Sequence, residues 1–286
     1  MYLHKEYRAG RTIEVIETYP GNCGKNMTRE RYNGKGRTPL SMQKYNDKMQ
    51  YRHLTRLLNT NFMPDDSFIT LHYSLHKRPL PEDAKKQLTA FLRKLKRLYK
   101  KYGIELKYIK VTAIGSKGAI HHHIVINSGV PYSEITKLWS YSDRTPDYKP
   151  LYANGEYSAI EYYLVNQSKV GQGAANKISG KGFVGSRNLK QPEIIKEQYV
   201  DKVCWKEPPR AKKGYIIDPD SIDAGVNELN GKPYLFYRMI LDTADGQANR
   251  IIKNKSRPAE PLSIYGKIIH KKQVHQSHKS NRQTVS

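Results

Sequence analysis

Cysteine is almost absent from this chain: Cys23 and Cys204 are far apart and belong to no Cys-x-x-Cys pair. That excludes a disulfide framework and suits a reducing, cytoplasmic compartment. Long apolar runs are missing as well. No stretch approaches the roughly 18 uncharged apolar residues that a membrane span needs, and the first residues lack the apolar centre of a secretion signal. Acidic residues are scarce, with 26 Asp and Glu against 50 Lys and Arg, for a net charge of +24. So large an excess is the electrostatic footprint of a polyanion binder. Nucleic acid is the leading partner and an anionic membrane surface the second. Phe and Trp are few, at 5 and 2, whereas Tyr is abundant at 22. Tyrosine keeps a polar head in water while offering a ring for base stacking. No Gly-x-x-x-x-Gly-Lys-Ser/Thr run is present, so a P-loop ATPase is not expected.

What is present is a chain of 286 residues, 37% apolar, whose apolar residues recur in periodic blocks. The organisation reads as three segments. Residues 1–40 form a loose polar arm with one strand candidate over 11–19. Residues 41–250 form the functional domain. Residues 251–286 form a basic, disordered tail with eight Lys or Arg against one Glu, able to track a phosphate backbone. Without the tail the body still carries about +17.

Within the domain, periodicity predicts a helix over 41–58, a strand over 68–75 and a helix from Pro81 to Gly103. In that last helix Leu88, Phe91, Leu92, Leu95, Leu98, Tyr99 and Tyr102 share one face. Strands follow over 104–113 and 119–127, then helices over 132–141, 156–167 and 192–200, and a strand over 234–241. Connections this short do not fit a doubly wound parallel sheet. The expected class is α+β, an antiparallel β-sheet with helices packed on it.

The sharpest local feature is His121, His122 and His123 inside the strand pattern. Side chains alternate along a strand, so His121 and His123 point the same way, about 7 Å apart, and can grip one divalent ion. His122 faces the opposite side with Ile120, Ile124 and Ile126. The second feature is Glu161, Tyr162 and Tyr163 on a short helix, whose apolar side carries Tyr157, Ile160, Tyr163 and Leu164. A tyrosine oxygen can attack phosphorus and form a phosphotyrosyl ester, provided a cation polarises the phosphate. Taken alone, a tyrosine on a helix is packing. The Gly-rich, basic segment over 180–187 offers backbone N–H groups and cations to phosphate. His72 reads as a core histidine, and Trp139 and Trp205 read as packing.

Together these features resemble the HUH endonuclease superfamily of rolling-circle replication initiators, relaxases and transposases, and more closely its phage gene II protein-like replication group. Phe68, Ile69, Thr70, Leu71, His72 and Tyr73 resemble the group's first strand motif. Residues 117–126 resemble its metal motif, 159–166 its tyrosine motif, and 185–192 a further recurrent segment. The resemblance implies the HUH/ferredoxin-like nuclease fold and a Mg²⁺- or Mn²⁺-dependent nick of single-stranded or hairpin DNA at a replication origin. The metal ligands would be His121 and His123. Tyr163 would be the nucleophile, with its neighbour Tyr162 as the alternative, and would take the 5′ phosphate while the free 3′-hydroxyl primes a host polymerase assisted by a host helicase. The setting would be the cytoplasm of a bacterium carrying a phage or plasmid. Lys169, Lys181, Arg187 and Lys190 are the expected nucleic-acid contacts. The sequence departs from the group's pattern at Ala113, where a third ligand, Glu, often stands, and at Asn166, where Lys is usual. His72, Glu161 or water is then the third ligand, or activity is reduced. A relaxase or transposase, a non-catalytic DNA-binding derivative and a structural zinc protein are the rival readings.

Overall fold

The computed structural model describes residues 1–20, 40–115, 118–151, 155–158, 160, 164, 182–200, 209–227 and 231–242. The architecture is mixed α+β with two five-stranded antiparallel sheets. The chain divides into two compact units: Met1–Asn46 with Glu193–Ser286, and Asp47–Pro192. This differs from the division drawn from composition into 1–40, 41–250 and 251–286. The tail over 251–286 lies outside the described residues.

In the first unit β1 (Tyr2–Ala9) and β2 (Thr12–Thr18) form a hairpin. They join β8 (Glu193–Val200), β9 (Tyr215–Val226) and β10 (Pro233–Leu241) in the order β8-β1-β2-β10-β9. The described part of the expected loose arm is therefore interior sheet. Gly10, at φ +57°, occupies the first position of the two-residue turn, where an L side chain would be strained. The helix expected over 192–200 is strand β8 instead. Eight residues are too few for periodicity to separate the two, and β1 supplies a strand edge whose charges answer those of β8. Lys5 lies opposite Glu197 (3.0 Å) and Arg8 opposite Glu193 (3.7 Å). Periodicity shows no element over β9, because Pro219 interrupts its pattern. The proline sits on an edge strand where the register with β10 shifts, as a strand proline must. Ile13, Val15 and Met239 form the apolar centre of this sheet, beside a buried Arg238–Glu14 ion pair at 2.9 Å.

The second unit orders its sheet β6-β3-β5-β4-β7. The strands are β3 (Ser67–Leu71), β4 (Tyr108–Ile114), β5 (Ile120–Ile126), β6 (Asp147–Pro150) and β7 (Val184–Gly185). Helix α1 (Leu40–Asn61) contributes Leu54, Leu57 and Leu58 to one face, against Ile109, Val111 and Val125. Helix α2 (Pro81–Lys101) covers the other, with Leu88, Phe91, Leu95 and Tyr99 on Ile69, Leu71, Ile124 and Ile126. α2 forms where the sequence places it: Pro81 starts it, Glu82 and Asp83 fill the positive first turn, and Lys100 and Lys101 the negative last one. Gly103, at φ +70°, ends it. The strand expected over 68–75 stops at Leu71 and gives way to a short 3-10 turn at Leu75–Lys77. The helix expected over 132–141 is a single turn, α3 (Tyr132–Thr136).

His122 anchors the register of β5. It is fully buried on the α2 face, with Thr112 Oγ1 2.9 Å from Nδ1 and the Tyr73 hydroxyl 2.9 Å from Nε2. Each ring nitrogen thus has one hydroxyl partner, as a neutral imidazole requires. Burial, helped by the nearby Lys110 charge, pushes its pKa down to about 3.

Both units offer a stability test. Tyr73→Phe leaves one buried His122 nitrogen without a partner, and chemical denaturation should show a loss of about 1–3 kcal/mol. In the first unit His4 lies between Glu17 (2.8 Å) and Glu6 (3.1 Å). The hydrogen bond to Glu17, and then that to Glu6, outweigh burial and raise its pKa above 6.5. The stability from protonated His4 is complete below that value and is lost as pH climbs through the raised one. The unfolding midpoint should therefore fall more between about pH 6 and pH 8.5 in the native sequence than in His4→Gln, measured by thermal melts.

Candidate functional site

The α1 side of the second unit's sheet carries an open cleft of about 290 Å³. Strand register builds it. Phe68 and Thr70 of β3 alternate with Ile69 and Leu71, which are buried under α2. Thr70 pairs with His123 on one side and Asp147 on the other; Phe68 pairs with Val125 and Lys149. His72 continues the same face past the end of β3, where its carbonyl accepts a hydrogen bond from Trp139 Nε1 at 2.7 Å. Phe68, Thr70, His72, His121, His123, Asp147 and Lys149 line the cleft.

The expected alternation of β5 holds. His121 and His123 share this face, with ring centroids 4.8 Å apart and planes at 81°, and His122 is on the other. His123 is 8% exposed. Its ring stacks on Phe68 at 5.4 Å, and its Nδ1 lies 3.1 Å from Thr70 Oγ1. Its Nε2 is buried and has no hydrogen-bond partner among the described residues. Burial, and secondarily the charges of His121 and His72, push the His123 pKa down to about 3, so the ring is neutral near pH 7. His121 donates from Nδ1 to the Ala119 carbonyl at 3.3 Å, which fixes a proton on that nitrogen. An unpartnered buried nitrogen costs free energy that a Lewis acid would recover. The donor set therefore fits a divalent ion held by the imidazoles of His121 and His123. Among the described residues no three His, Cys, Asp or Glu side chains are grouped so as to hold one ion.

The flanks of the pair are unequal. On the β4 side, Ala113 pairs directly with His121 and carries no donor. On the β3 side, the His72 ring lies 6.2 Å from that of His121, and its Nε2 is 2.9 Å from Asp147 Oδ2. Of the third ligands considered from sequence, His72 is in the cleft and Glu161 lies outside the described residues. Asp147 and Lys149 are additions from the structure, because residues 142–154 read as a polar loop. The alternation of Asp147 and Lys149 against Tyr148 is the period-two signal that the sequence offers there.

Tyr162, Tyr163, Lys169 and Lys181 also lie outside the described residues. The described residues on either side of 161–163 are Ile160 and Leu164, both buried. They pack with Tyr157 in the same cluster as Val125, Val111 and Leu58. That cluster is on the sheet face shared by the histidine pair. Arg187 and Lys190 are exposed, and neither lines the cleft. The backbone of Lys190 is held by Asn61, which accepts from its N–H (2.7 Å) and donates to its carbonyl (2.8 Å).

Among the described residues no helix is long and apolar enough to cross a membrane. No curated protein and no solved structure matches the chain. Residues 66–168, which span every residue lining the histidine cleft, match the family model described as replication-associated protein ORF2/gene II protein.

Proposed function

We propose that the chain is a replication initiator that nicks single-stranded or hairpin DNA at an origin through a covalent 5′-phosphotyrosyl intermediate. The observation that carries this reading is the pair His121 and His123 on one strand face, with the buried Nε2 of His123 unpartnered among the described residues beside a cleft. The match of residues 66–168 to replication-associated proteins supports the biological setting.

His121 and His123 would hold Mg²⁺ or Mn²⁺, and Thr70 and Phe68 fix the ring of His123. When bound, the ion polarises the scissile phosphate and offsets its developing charge. Lys149, exposed at the cleft, supplies a further cation to a phosphate oxygen. Tyr163 is the proposed nucleophile, and Tyr162 is the alternative one residue away. The tyrosine oxygen forms a bond to phosphorus, the bond from phosphorus to the 3′ oxygen breaks, and one proton moves in net from the phenol to that oxygen. The liberated 3′-hydroxyl is then a primer for a host polymerase, with strand separation by a host helicase in a bacterial cytoplasm. Reversal of the same step rejoins the ends, which is also the chemistry of a relaxase or transposase. Ala113 beside His121 favours a second reading, a DNA-binding derivative without catalysis.

A labelled single-stranded oligonucleotide carrying the origin, incubated with protein and Mn²⁺, should give a covalent adduct visible on a denaturing gel. Chelation should abolish it, and His123→Ala should reduce its rate by about 10²-fold or more, the equivalent of several kcal/mol of charge stabilisation. Tyr163→Phe should eliminate the adduct. Its loss in Tyr162→Phe alone moves the nucleophile by one residue, and no adduct from the native sequence, with DNA still bound, supports the non-catalytic derivative.

A further inference from the structure

A second groove, of about 450 Å³, lies on the opposite face of the same sheet, along its β4–β7 edge. The faces follow from alternation. Ile109 and Val111 of β4 are buried under α1, whereas Tyr108 packs toward the α2 cluster, as Lys110 must by parity. The groove is bounded by Arg93 and Lys96 of α2, by Lys110, and by Arg187 just after β7. Glu105 is the one acid in its lining. None of the four cations forms an ion pair among the described residues. Surface cations on a helix are ordinarily solvated, but here two chain segments remote from α2 bring two more cations to face them. One of these, Lys110, is half-buried on a strand. Holding four like charges around one concavity is unfavourable without a counter-charge, and a chain of phosphates supplies that charge at regular intervals.

We propose that this groove binds the phosphate backbone of single-stranded DNA, on the face of the sheet away from the histidine cleft. The strand would reach both faces by passing around the β4–β7 edge at Arg187. This rests on single-stranded DNA being the substrate, and it assigns the groove the task of holding the strand while the cleft acts on one phosphate. Tyr108, at the groove floor, is the ring against which a base can stack.

The test compares two charge reversals on α2 that change net charge equally. Arg93→Glu with Lys96→Glu alters the groove. Lys94→Glu with Arg97→Glu alters exposed positions that do not line it. Binding of a labelled oligothymidylate is followed by fluorescence anisotropy in EDTA, where no nicking occurs, over a range of salt. The groove pair should weaken binding by about tenfold or more and flatten the log–log salt dependence by about 1.4, at roughly 0.7 for each phosphate no longer neutralised. The control pair should change affinity by less than about threefold. Arg187→Glu alone should act like half of the groove pair. Equal losses from both pairs, or no loss from either, overturn the assignment. If the groove variants bind normally while the native sequence forms its covalent adduct, the groove falls and the nicking reading stands. If the groove variants lose binding but no adduct ever forms, the groove stands and the nicking reading falls.

Discussion

The parity of strand β5 is the constraint on which the site depends. Three consecutive histidines are sorted to two faces because one of them, His122, is buried and bonded on both ring nitrogens. A slip of one residue would move His122, together with Ile120, Ile124 and Ile126, to the cleft face and turn His121 and His123 toward α2, against Ile69 and Leu71. The Thr112–His122–Tyr73 contacts, and the isoleucines that share that face, thus orient the pair from behind. Trp139 adds to the same end: it packs edge-on to His122 at 5.8 Å and bonds the carbonyl of His72.

Those features are legible in the sequence because they are local. Alternation of side chains along 120–126 needs no partner strand to be recognised, and the apolar stripe of α2 with its proline start and glycine stop is complete within the segment itself. The elements that escape such a reading need distant partners. β1 reads as a polar segment because Lys5 and Arg8 find their counter-charges on β8, nearly two hundred residues away, and His4 finds one of its own on β2. β8 reads as a helix for the same reason. β9 holds a proline that only a register shift against β10 accommodates. At the site, the histidine pair is visible in the sequence. Asp147 and Lys149 are harder to read, since a four-residue, fully exposed edge strand shows only a single alternation about Tyr148 and no apolar face.

Electrostatics divides the labour within the second unit. The cleft is nearly balanced, with Lys149 beside Asp147 on the same strand face and with His123 kept neutral by burial. On the proposed reading it receives one phosphate and one ion. The groove on the opposite face is cationic with a single acid, suited to holding a strand without regard to sequence. A net charge of +24 raises the local concentration of any polyanion, and its effect is weakened by salt. Neutral imidazoles are not subject to that screening, so on the proposed reading ion binding in the cleft should depend less on ionic strength than strand binding in the groove.

The central claim is that two imidazole nitrogens, from His121 and His123, ligate one divalent ion. Pulsed electron paramagnetic resonance of Mn²⁺ added to the full chain reads this directly through the modulation produced by bound nitrogen. The account predicts nitrogen modulation that disappears in the double variant His121→Ala with His123→Ala and persists in His72→Ala. Mn²⁺ bound only through oxygen and water, or nitrogen modulation unchanged in the double variant, would contradict it.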